Sequence, residues 1–202
     1  EGWICNKQWL EIDKNTYEEL ERHDPTLTTE LLDMVVKDTH QTVPLGSTLP
    51  FYQEHQFQIN DNVYIHQGES TTGFKDKAMM VDNAMLYLNT PYLWGGRTPF
   101  GIDCSGFTQM IYRLNGKEIP RDAYQQAETG TTLSFIEESE AGDLAFFDNN
   151  EGKIIHVGVI LENNFIIHAS GRVRIDRLDQ QGVFNTEERK HTHKLRLIKS
   201  IL

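Results

Sequence analysis

The sequence predicts an α+β protein, in which a small all-β module precedes a larger domain of helices packed on an antiparallel sheet. Residues 25 to 73 contain several short β-type segments separated by turn residues. Helical periodicity appears over residues 75 to 89 and again after Cys104, and strand-like segments dominate from residue 144 onward. Helices followed by antiparallel strands are typical of α+β domains. We divide the chain into residues 1–24, 25–73 and 74–202.

Residues 1–24 are interpreted as the tail of a first β module followed by a linker. A strand-like fragment surrounds Trp3, and Tyr17–Arg22 has the composition of a short charged helix. The first residues lack a basic start and an apolar stretch, so no signal peptide is visible in this chain, and we expect further residues upstream. Cys5 lies in an apolar stretch and is predicted to be an inert buried thiol.

Residues 25–73 predict a small β-barrel. Its expected strands are rich in β-formers and cover 33–37, 48–52, 56–59 and 63–66. Turn residues at Gly46-Ser47 and Asn60–Asn62 separate them, and Gly68–Gly73 reads as a polar linker.

The last domain should begin with helices. Apolar residues recur at helical spacing over 75–89, and Pro91 ends that pattern. A glycine-rich loop leads to Cys104, after which a second helix runs to Asn115-Gly116. The remaining expected elements are a short helix over 123–128 and strands over 144–147, 154–161, 165–169 and 194–198.

Composition excludes several classes of protein. With 38% hydrophobic residues, the chain of 202 residues can bury a substantial core. Its net charge of −11 repels phosphate backbones, so nucleic-acid binding is not expected. No apolar run approaches the length of a membrane span. Two cysteines make a poor disulfide framework and an incomplete zinc site. We expect no metal, no cofactor and a monomer.

Cys104 is placed where a thiol can act as a nucleophile. Asp103 is a plausible N-cap, so Cys104 would stand at the start of a helix, where free N–H groups lower a thiol pKa. The same N–H groups could stabilise an oxyanion. These residues alone support a buried structural cysteine beside a turn equally well.

Two histidines favour the catalytic interpretation. His156 lies in the apolar run 154–160, and His168 lies in 165–169, with the turn residues Glu162-Asn163-Asn164 between them. An antiparallel hairpin would bring both imidazoles to one face, opposite or diagonal to each other. A thiol beside two paired histidines is the arrangement of nucleophile, base and orienting group.

These residues resemble the NlpC/P60 peptidases. The resemblance covers about residues 75 to 202 and rests on an ordered set of motifs. They are Tyr92-Leu93-Trp94-Gly95-Gly96, Asp103-Cys104-Ser105-Gly106-Phe107, Gly142-Asp143-Leu144, His156-Val157-Gly158-Val159 and His168-Ala169. The resemblance implies a papain-like core whose cysteine heads a helix packed on a sheet, preceded by a module similar to bacterial SH3 domains.

The resemblance also implies roles for individual residues. Cys104 would attack the scissile carbonyl, His156 would act as general base and His168 would orient it as a neutral group. Asp103 and Ser105 are candidates to bind a free N-terminal ammonium. The remaining candidate substrate-binding residues are Tyr92, whose hydroxyl could also serve the oxyanion, Trp94, Arg121 and Asp122. Helix capping, loop packing and a surface ion pair are the alternatives for these six.

The implied function is hydrolysis of peptidoglycan stem peptides or muropeptides in the cell envelope. The expected bond joins γ-D-glutamate to a diamino acid, meso-diaminopimelate or lysine, in peptides with a free N-terminal L-alanine. Three alternatives remain open: an amidase or acyltransferase on the same core, a wall-binding protein with an inactive catalytic domain, and a metal hydrolase using Cys104 with histidines.

Overall fold

The computed structural model describes residues 9–202. The predicted strand around Trp3 and the predicted burial of Cys5 lie outside the described residues.

The first helix begins earlier than its composition suggested. Helix α1 spans Lys14–Leu20. The Asp13 carboxylate accepts hydrogen bonds from the backbone N–H groups of Asn15 and Thr16, which satisfies donors at the helix start. None of its residues is buried, so α1 contributes a cap and a charged surface rather than core.

A small β module follows. Its strands are β1 (Leu27–Thr28), β2 (Leu32–Val36), β3 (His40–Pro44), β4 (Gln56–Ile59), β5 (Asn62–His66) and β6 (Ser70–Thr71). Strands β2 to β5 form an antiparallel sheet in the order β3-β2-β5-β4, and β1 pairs with β6. Val35, Leu49 and Phe57 form a small core of their own.

The module differs from the prediction in three places. The segment 48–52 is not a strand, because Pro50 has no N–H to donate and Phe51 adopts a left-handed conformation with φ of 54°. Strand β3 was not predicted, since its side chains are mostly polar and exposed. The predicted linker 68–73 contains β6, which returns to pair with β1.

The second part begins with helices. They are α2 (Ala78–Met85), α3 (Cys104–Leu114) and α4 (Ala123–Gln126), with the short strands β7 (Arg97–Thr98) and β8 (Gly101–Ile102) ahead of α3. All three predicted helices of this part are present, although α2 is shorter than the predicted 75–89. The C-terminal half of α3 packs on the small module, where Arg113 donates a hydrogen bond of 2.6 Å to Thr48 Oγ1.

Strands make up most of the remaining chain. They are β9 (Thr131–Leu133), β10 (Leu144–Asp148), β11 (Ile154–Leu161), β12 (Phe165–Ser170), β13 (Arg172–Asp179), β14 (Gly182–Asn185) and β15 (Lys190–Ser200). Single 3₁₀ turns occur at Ile136–Glu138 and Glu162–Asn164. From β10 to β15 each strand pairs antiparallel with the next, and β15 pairs back with β10. The six strands therefore close into a barrel, and β9 adds to β15.

The barrel strands present two apolar faces because side chains alternate along each strand. The outer face packs against α2 and α3, as Val157 and Val159 share a core with Phe107. The inner face forms a second core of Ala145, Phe147, Ile160, Ile166, Leu178, Val183 and Ile198, together with Ile136. Alternation along β11 places His156 on the inner face with Ile160. The histidines therefore lie on the inner side of the wall that α3 covers.

Across residues 9–202, no helix has both the length and the apolar character needed to cross a lipid bilayer.

Candidate active site

Cys104 occupies the first position of α3, as predicted. The Asp103 side chain caps this helix by accepting a hydrogen bond of 2.7 Å from the N–H of Gly106. A Cβ on Gly106 would stand 2.4 Å from the carbonyl oxygen of Gly96, so only glycine lets the preceding loop cross the helix start this closely. Cys104 itself is buried, with 7% of its surface exposed.

The Cys104 thiol lies beside the strand that carries His156. The backbone N–H of Val157, the next residue, donates to it. Burial raises the pKa of the thiol, and the charge of Asp103 adds to this; the N–H groups of Val157 and of the helix start only partly offset it. The expectation of a lowered thiol pKa is therefore wrong, because burial outweighs the helix start.

The two predicted histidines are hydrogen-bonded to each other. Nε2 of His156 lies 2.8 Å from Nδ1 of His168, and the two residues are 5% and 1% exposed. Strands β11 and β12 pair with Val159 opposite Ile167, so Gly158 stands opposite His168. His156, two residues before Gly158, is therefore the diagonal neighbour of His168. The predicted hairpin thus places both imidazoles on one face, in the diagonal arrangement.

Gly158 makes the short approach of the two imidazoles possible. A Cβ at this position would stand 2.8 Å from His168 Cβ and 2.7 Å from Ile166 Cδ1. Both distances are well below ordinary carbon–carbon contact. The missing side chain leaves room for His168 to lean toward His156, which gives the His-Val-Gly sequence a geometric reason.

The chain of hydrogen bonds continues to two residues that the sequence analysis missed. Nε2 of His168 lies 3.0 Å from Oδ2 of Asp176, which is 2% exposed. Arg174 contacts both carboxylate oxygens, with Nε at 2.6 Å and Nη2 at 3.0 Å. Burial alone would raise the pKa of Asp176, but hydrogen bonds from His168 and Arg174 outweigh it and lower that pKa. Strand β13 was not predicted, so its residues could not be placed near His168.

His193 is a further residue that the sequence analysis missed. Its ring stacks on His156 with centroids 4.2 Å apart and planes at 25°. Burial, and then the charge of His168, lower the pKa of His193 to about 4. Its surroundings in the sequence, Lys190 to Lys194, are hydrophilic and give no sign that this residue faces the interior. Pairing of β15 with β14 places it opposite Val183, on the inner face.

Burial also controls the charge of the central histidine. The pKa of His156 lies well below its ordinary value, first because the ring is buried and then because of neighbouring His168 and His193. The raised pKa of the Cys104 thiol and the lowered pKa of the His156 imidazole favour the neutral form of each group.

The three imidazoles also invite a test for metal binding. Ligand atoms of His156, His168 and His193 all lie within 4.8 Å of one another. The 2.8 Å contact between His156 and His168 has the length of a hydrogen bond, in which one nitrogen donates and the other accepts. A metal ion bound by these two nitrogens would need the lone pairs of both and would break the hydrogen bond between them. The observed geometry therefore fits a chain of hydrogen bonds.

The candidate substrate residues around Asp103 are already engaged with one another. Arg121 binds both carboxylate oxygens of Asp103, at 3.0 and 2.6 Å, and Gly95 N–H donates to Oδ2 at 2.8 Å. Arg121 also donates to Ser105 Oγ at 2.9 Å. Burial would raise the pKa of Asp103, but Arg121 outweighs it and lowers that pKa. Asp122 lies next to this group, where it is exposed and caps α4.

Tyr92 and Trp94 lie on the loop ahead of the helix. Burial, and then the charge of a Cys104 thiolate, raises the pKa of Tyr92, so its hydroxyl lies within electrostatic reach of the thiol. The Tyr92 backbone is fixed by a hydrogen bond of 3.0 Å from its N–H to the carbonyl of Gly171. Trp94 is 85% exposed and touches little of the protein, so loop-to-core packing does not explain it.

A cavity of about 900 Å³ lies elsewhere, between α1, the small module and the end of α3. Its lining residues fall within 17–27, 48–53, 71–73 and 113–118 and include none of the thiol and histidine group.

Comparison with known proteins places this geometry in a family. The NlpC/P60 family matches residues 89–191. A gamma-D-glutamyl-L-lysine dipeptidyl-peptidase of Bacillus subtilis (strain 168) is 42% identical over 92 residues, which are 45% of this chain and 31% of that protein. A protein of the same name from Bacillus cereus (strain ATCC 10987 / NRS 248) is 33% identical over 134 residues, 65% of this chain and 39% of that protein. The chain thus spans between about a third and two fifths of the length of these curated relatives.

Solved structures agree with the fold. An NlpC/P60 family protein from Bacillus cereus ATCC 10987 superposes on 100% of this chain and 70% of its own, with a TM-score of 0.80 at 23% identity. A Staphylococcus aureus protein described as similar to an NLP/P60 family lipoprotein covers 65% of this chain and 43% of its own, with a TM-score of 0.51 at 31% identity. The match over residues 89–191 contains both the helix that carries Cys104 and the strands that carry the two histidines, and this chain belongs to the NlpC/P60 family.

Proposed function

We propose that the chain is a cysteine peptidase in which Cys104 is the nucleophile, His156 the general base and His168 the group that orients the base. One observation carries the proposal: a buried thiol at the start of α3 lies against the strand of a hydrogen-bonded histidine pair. An inert structural cysteine needs neither imidazole, and two buried imidazoles are costly to retain without a role.

The neutral resting pair fits general-base catalysis. As Sγ of Cys104 attacks a carbonyl carbon, the thiol proton passes to Nδ1 of His156, the nitrogen that the bond to His168 leaves free. The imidazolium then gives this proton to the leaving amine as the carbon–nitrogen bond breaks. Water hydrolyses the resulting thioester, with His156 again as the base. The free N–H groups at the start of α3 and the Tyr92 hydroxyl are the proposed oxyanion donors.

We infer that the substrate is a peptidoglycan stem peptide or a released muropeptide. Relatives bear the name gamma-D-glutamyl-L-lysine dipeptidyl-peptidase, and we propose the corresponding bond, between γ-D-glutamate and lysine or meso-diaminopimelate, for this chain. The free α-carboxylate of a γ-linked glutamate requires a cationic partner. Arg121, with its side chain 31% exposed, is the candidate beside the thiol.

Ser105 completes the proposed carboxylate site. Its Oγ accepts from Arg121 at 2.9 Å, while its own proton reaches Asp103 only at 3.4 Å, which is long for an O–H···O bond. The hydroxyl is therefore available to a ligand oxygen. Asp103 already accepts from Arg121 and two backbone N–H groups, so we assign it first to holding this site and only second to an ammonium group. Asp122, exposed beside Arg121, remains a candidate for the free N-terminus, and Trp94 for the rim of the cleft.

We further propose the domain organisation given above: an SH3-type module over 25–73, with a papain-like catalytic core over 74–202. The four-stranded antiparallel sheet with its own apolar core supports the first, and a nucleophile-bearing helix packed on the barrel wall supports the second. We expect the protein to act in the cell envelope, as a monomer.

Defined tripeptides test the substrate. The chain is incubated with L-Ala-γ-D-Glu-meso-diaminopimelate and with its N-acetylated form, and the products are identified by mass spectrometry. We expect L-Ala-γ-D-Glu from the free peptide and much slower cleavage of the acetylated one. Rapid cleavage of both would refute recognition of a free N-terminus. Release of ammonia or acyl transfer, with no dipeptide, would favour an amidase or acyltransferase instead.

A further inference from the structure

We propose that Asp176, held by Arg174, is a positioning residue that fixes the tautomers of both histidines and so leaves the correct nitrogen of His156 free to accept the thiol proton. This rests on the proposed function and extends it from three residues to five, Cys104, His156, His168, Asp176 and Arg174, of which the last four are linked by hydrogen bonds. Asp176 would touch neither the substrate nor the thiol and would act through His168 alone.

The tautomers of the two histidines follow from what each group can donate or accept. Arg174 places two N–H donors on the Asp176 carboxylate, which keeps it ionised and able only to accept. Nε2 of His168, 3.0 Å from this carboxylate, must therefore carry a proton. In the proposed arrangement His168 is neutral, so its imidazole has only one N–H, and Nδ1 is left as an acceptor.

The tautomer of His156 follows from the tautomer of His168. Nδ1 of His168 accepts from Nε2 of His156 across 2.8 Å, so the single proton of neutral His156 lies on Nε2. Nδ1 of His156 then has a free lone pair. Without the Asp176 carboxylate, the single proton of His168 could equally lie on its own Nδ1. This would reverse both tautomers and leave a proton on Nδ1 of His156, the atom that must accept the thiol proton. Transfer of the thiol proton to Nδ1 of His156 leaves the protons of His168 and the charge of Asp176 in place.

The residues around Arg174 hold it in place against Asp176. Arg174 is itself fixed by Glu187, with Nη1 to Oε2 at 3.0 Å, and by Asn185, with Nη2 to Oδ1 at 3.2 Å. Pairing of β12 with β13 puts Arg174 opposite His168 and Asp176 opposite Ile166, so all the polar groups share the inner face.

The same strand provides a matched control. Asp179 also pairs with a histidine, since its Oδ2 lies 2.9 Å from Nε2 of His191, but this pair is partly exposed and separate from the hydrogen-bond chain. Asp176→Asn and Asp179→Asn therefore remove the same charge from an aspartate–histidine pair on the same strand. Arg174→Gln tests the outer support without altering the carboxylate.

The experiment combines a spectroscopic and a kinetic measurement. Nitrogen-15 NMR of histidine-labelled protein should show Nε2–H tautomers for His156 and His168 in the wild type. Asp176→Asn should produce a mixture of tautomers. Titration of Cys104 with a radiolabelled thiol reagent, in a Cys5→Ser background so that only this thiol is counted, gives the concentration of enzyme. On that basis Asp176→Asn should lower kcat at least tenfold with KM changed less than threefold, and Asp179→Asn should leave both unchanged.

Arg174→Gln should lower kcat in the same direction as Asp176→Asn but by less. Wild-type tautomers in Asp176→Asn, or a kcat per titrated thiol equal to the wild type, would overturn the proposal and leave Asp176 a purely structural role. Because the NMR measurement needs no substrate, it distinguishes this failure from failure of the proposed peptidase function, in which the tautomers would be as predicted and the tripeptide would stay intact.

Discussion

Gly158→Ala should damage the site without changing any group that takes part in the chemistry. The added Cβ would stand 2.8 Å from His168 Cβ and 2.7 Å from Ile166 Cδ1. Restoring ordinary contact of about 3.5 Å requires His168 to move by roughly 0.7 Å. A movement of this size would stretch the 2.8 Å bond from His156 to about 3.5 Å, beyond the useful range of a hydrogen bond.

The expected magnitudes follow from that displacement. Overpacking of a filled core costs about 1–3 kcal/mol in the free energy of unfolding. Loss of the orienting bond, worth about 1–3 kcal/mol to a buried base, corresponds to a fall in kcat of about 5- to 150-fold. Urea unfolding measures the first quantity, and tripeptide cleavage followed by chromatography measures the second.

Ile198→Val provides the control for stability alone. Ile198 lies on the same inner face, between Leu133 and Ala145 on the neighbouring strands, and its shortening costs about 0.5–1.5 kcal/mol. We expect this variant to keep the wild-type kcat. If Gly158→Ala stayed folded and kept kcat within twofold, the short contact between the imidazoles would not matter for turnover, and the reasoning would be refuted.

Three further predictions concern the histidines. His156→Ala should lower kcat more than His168→Ala, because it removes the base rather than the group that orients it; equal losses in the tripeptide assay would show that these roles are wrong. The acid limb of kcat/KM should fall below pH 6.5, since burial lowers the pKa of His156; a limb at higher pH would contradict a neutral resting pair. The third concerns His193, whose folded pKa of about 4 lies below its unfolded value of 6.5. Its contribution to stability is therefore complete above pH 6.5 and is lost as pH falls toward 4. His193→Gln should reduce the slope of unfolding free energy against pH in this window by up to about 1.4 kcal/mol per unit, as measured by urea unfolding, and an unchanged slope would exclude this titration.

Local patterns were sufficient to predict the elements that carry the nucleophile and the histidine pair. The cap at Asp103 and the helical spacing after it predicted α3, and the turn residues 162–164 predicted the hairpin of β11 and β12. In each case the determining interactions are close in sequence. A capping carboxylate lies three residues from its N–H donor, and a hairpin register follows from its turn.

Contacts between distant segments could not be predicted in this way. Closure of the barrel depends on β15 pairing with β10, about fifty residues away, and the polar start of β15 has no strand signal. His193 and Asp176 reach the site only through this closure and through β13. The raised pKa of the Cys104 thiol was missed for a related reason. The position of Cys104 at a helix start can be predicted from the sequence, but its burial depends on how distant segments pack, and burial decides the direction of the pKa shift.

Product formation by matched wild-type and Cys104→Ala proteins tests the central claim most directly. Both are incubated with L-Ala-γ-D-Glu-meso-diaminopimelate in the presence of a chelator, and released L-Ala-γ-D-Glu is quantified by mass spectrometry. The proposed role of Cys104 predicts steady release by the wild type and none by the variant, with the same urea midpoint for both within error. Release by Cys104→Ala, or abolition of wild-type activity by the chelator while thiol reagents spare it, would contradict thiol catalysis.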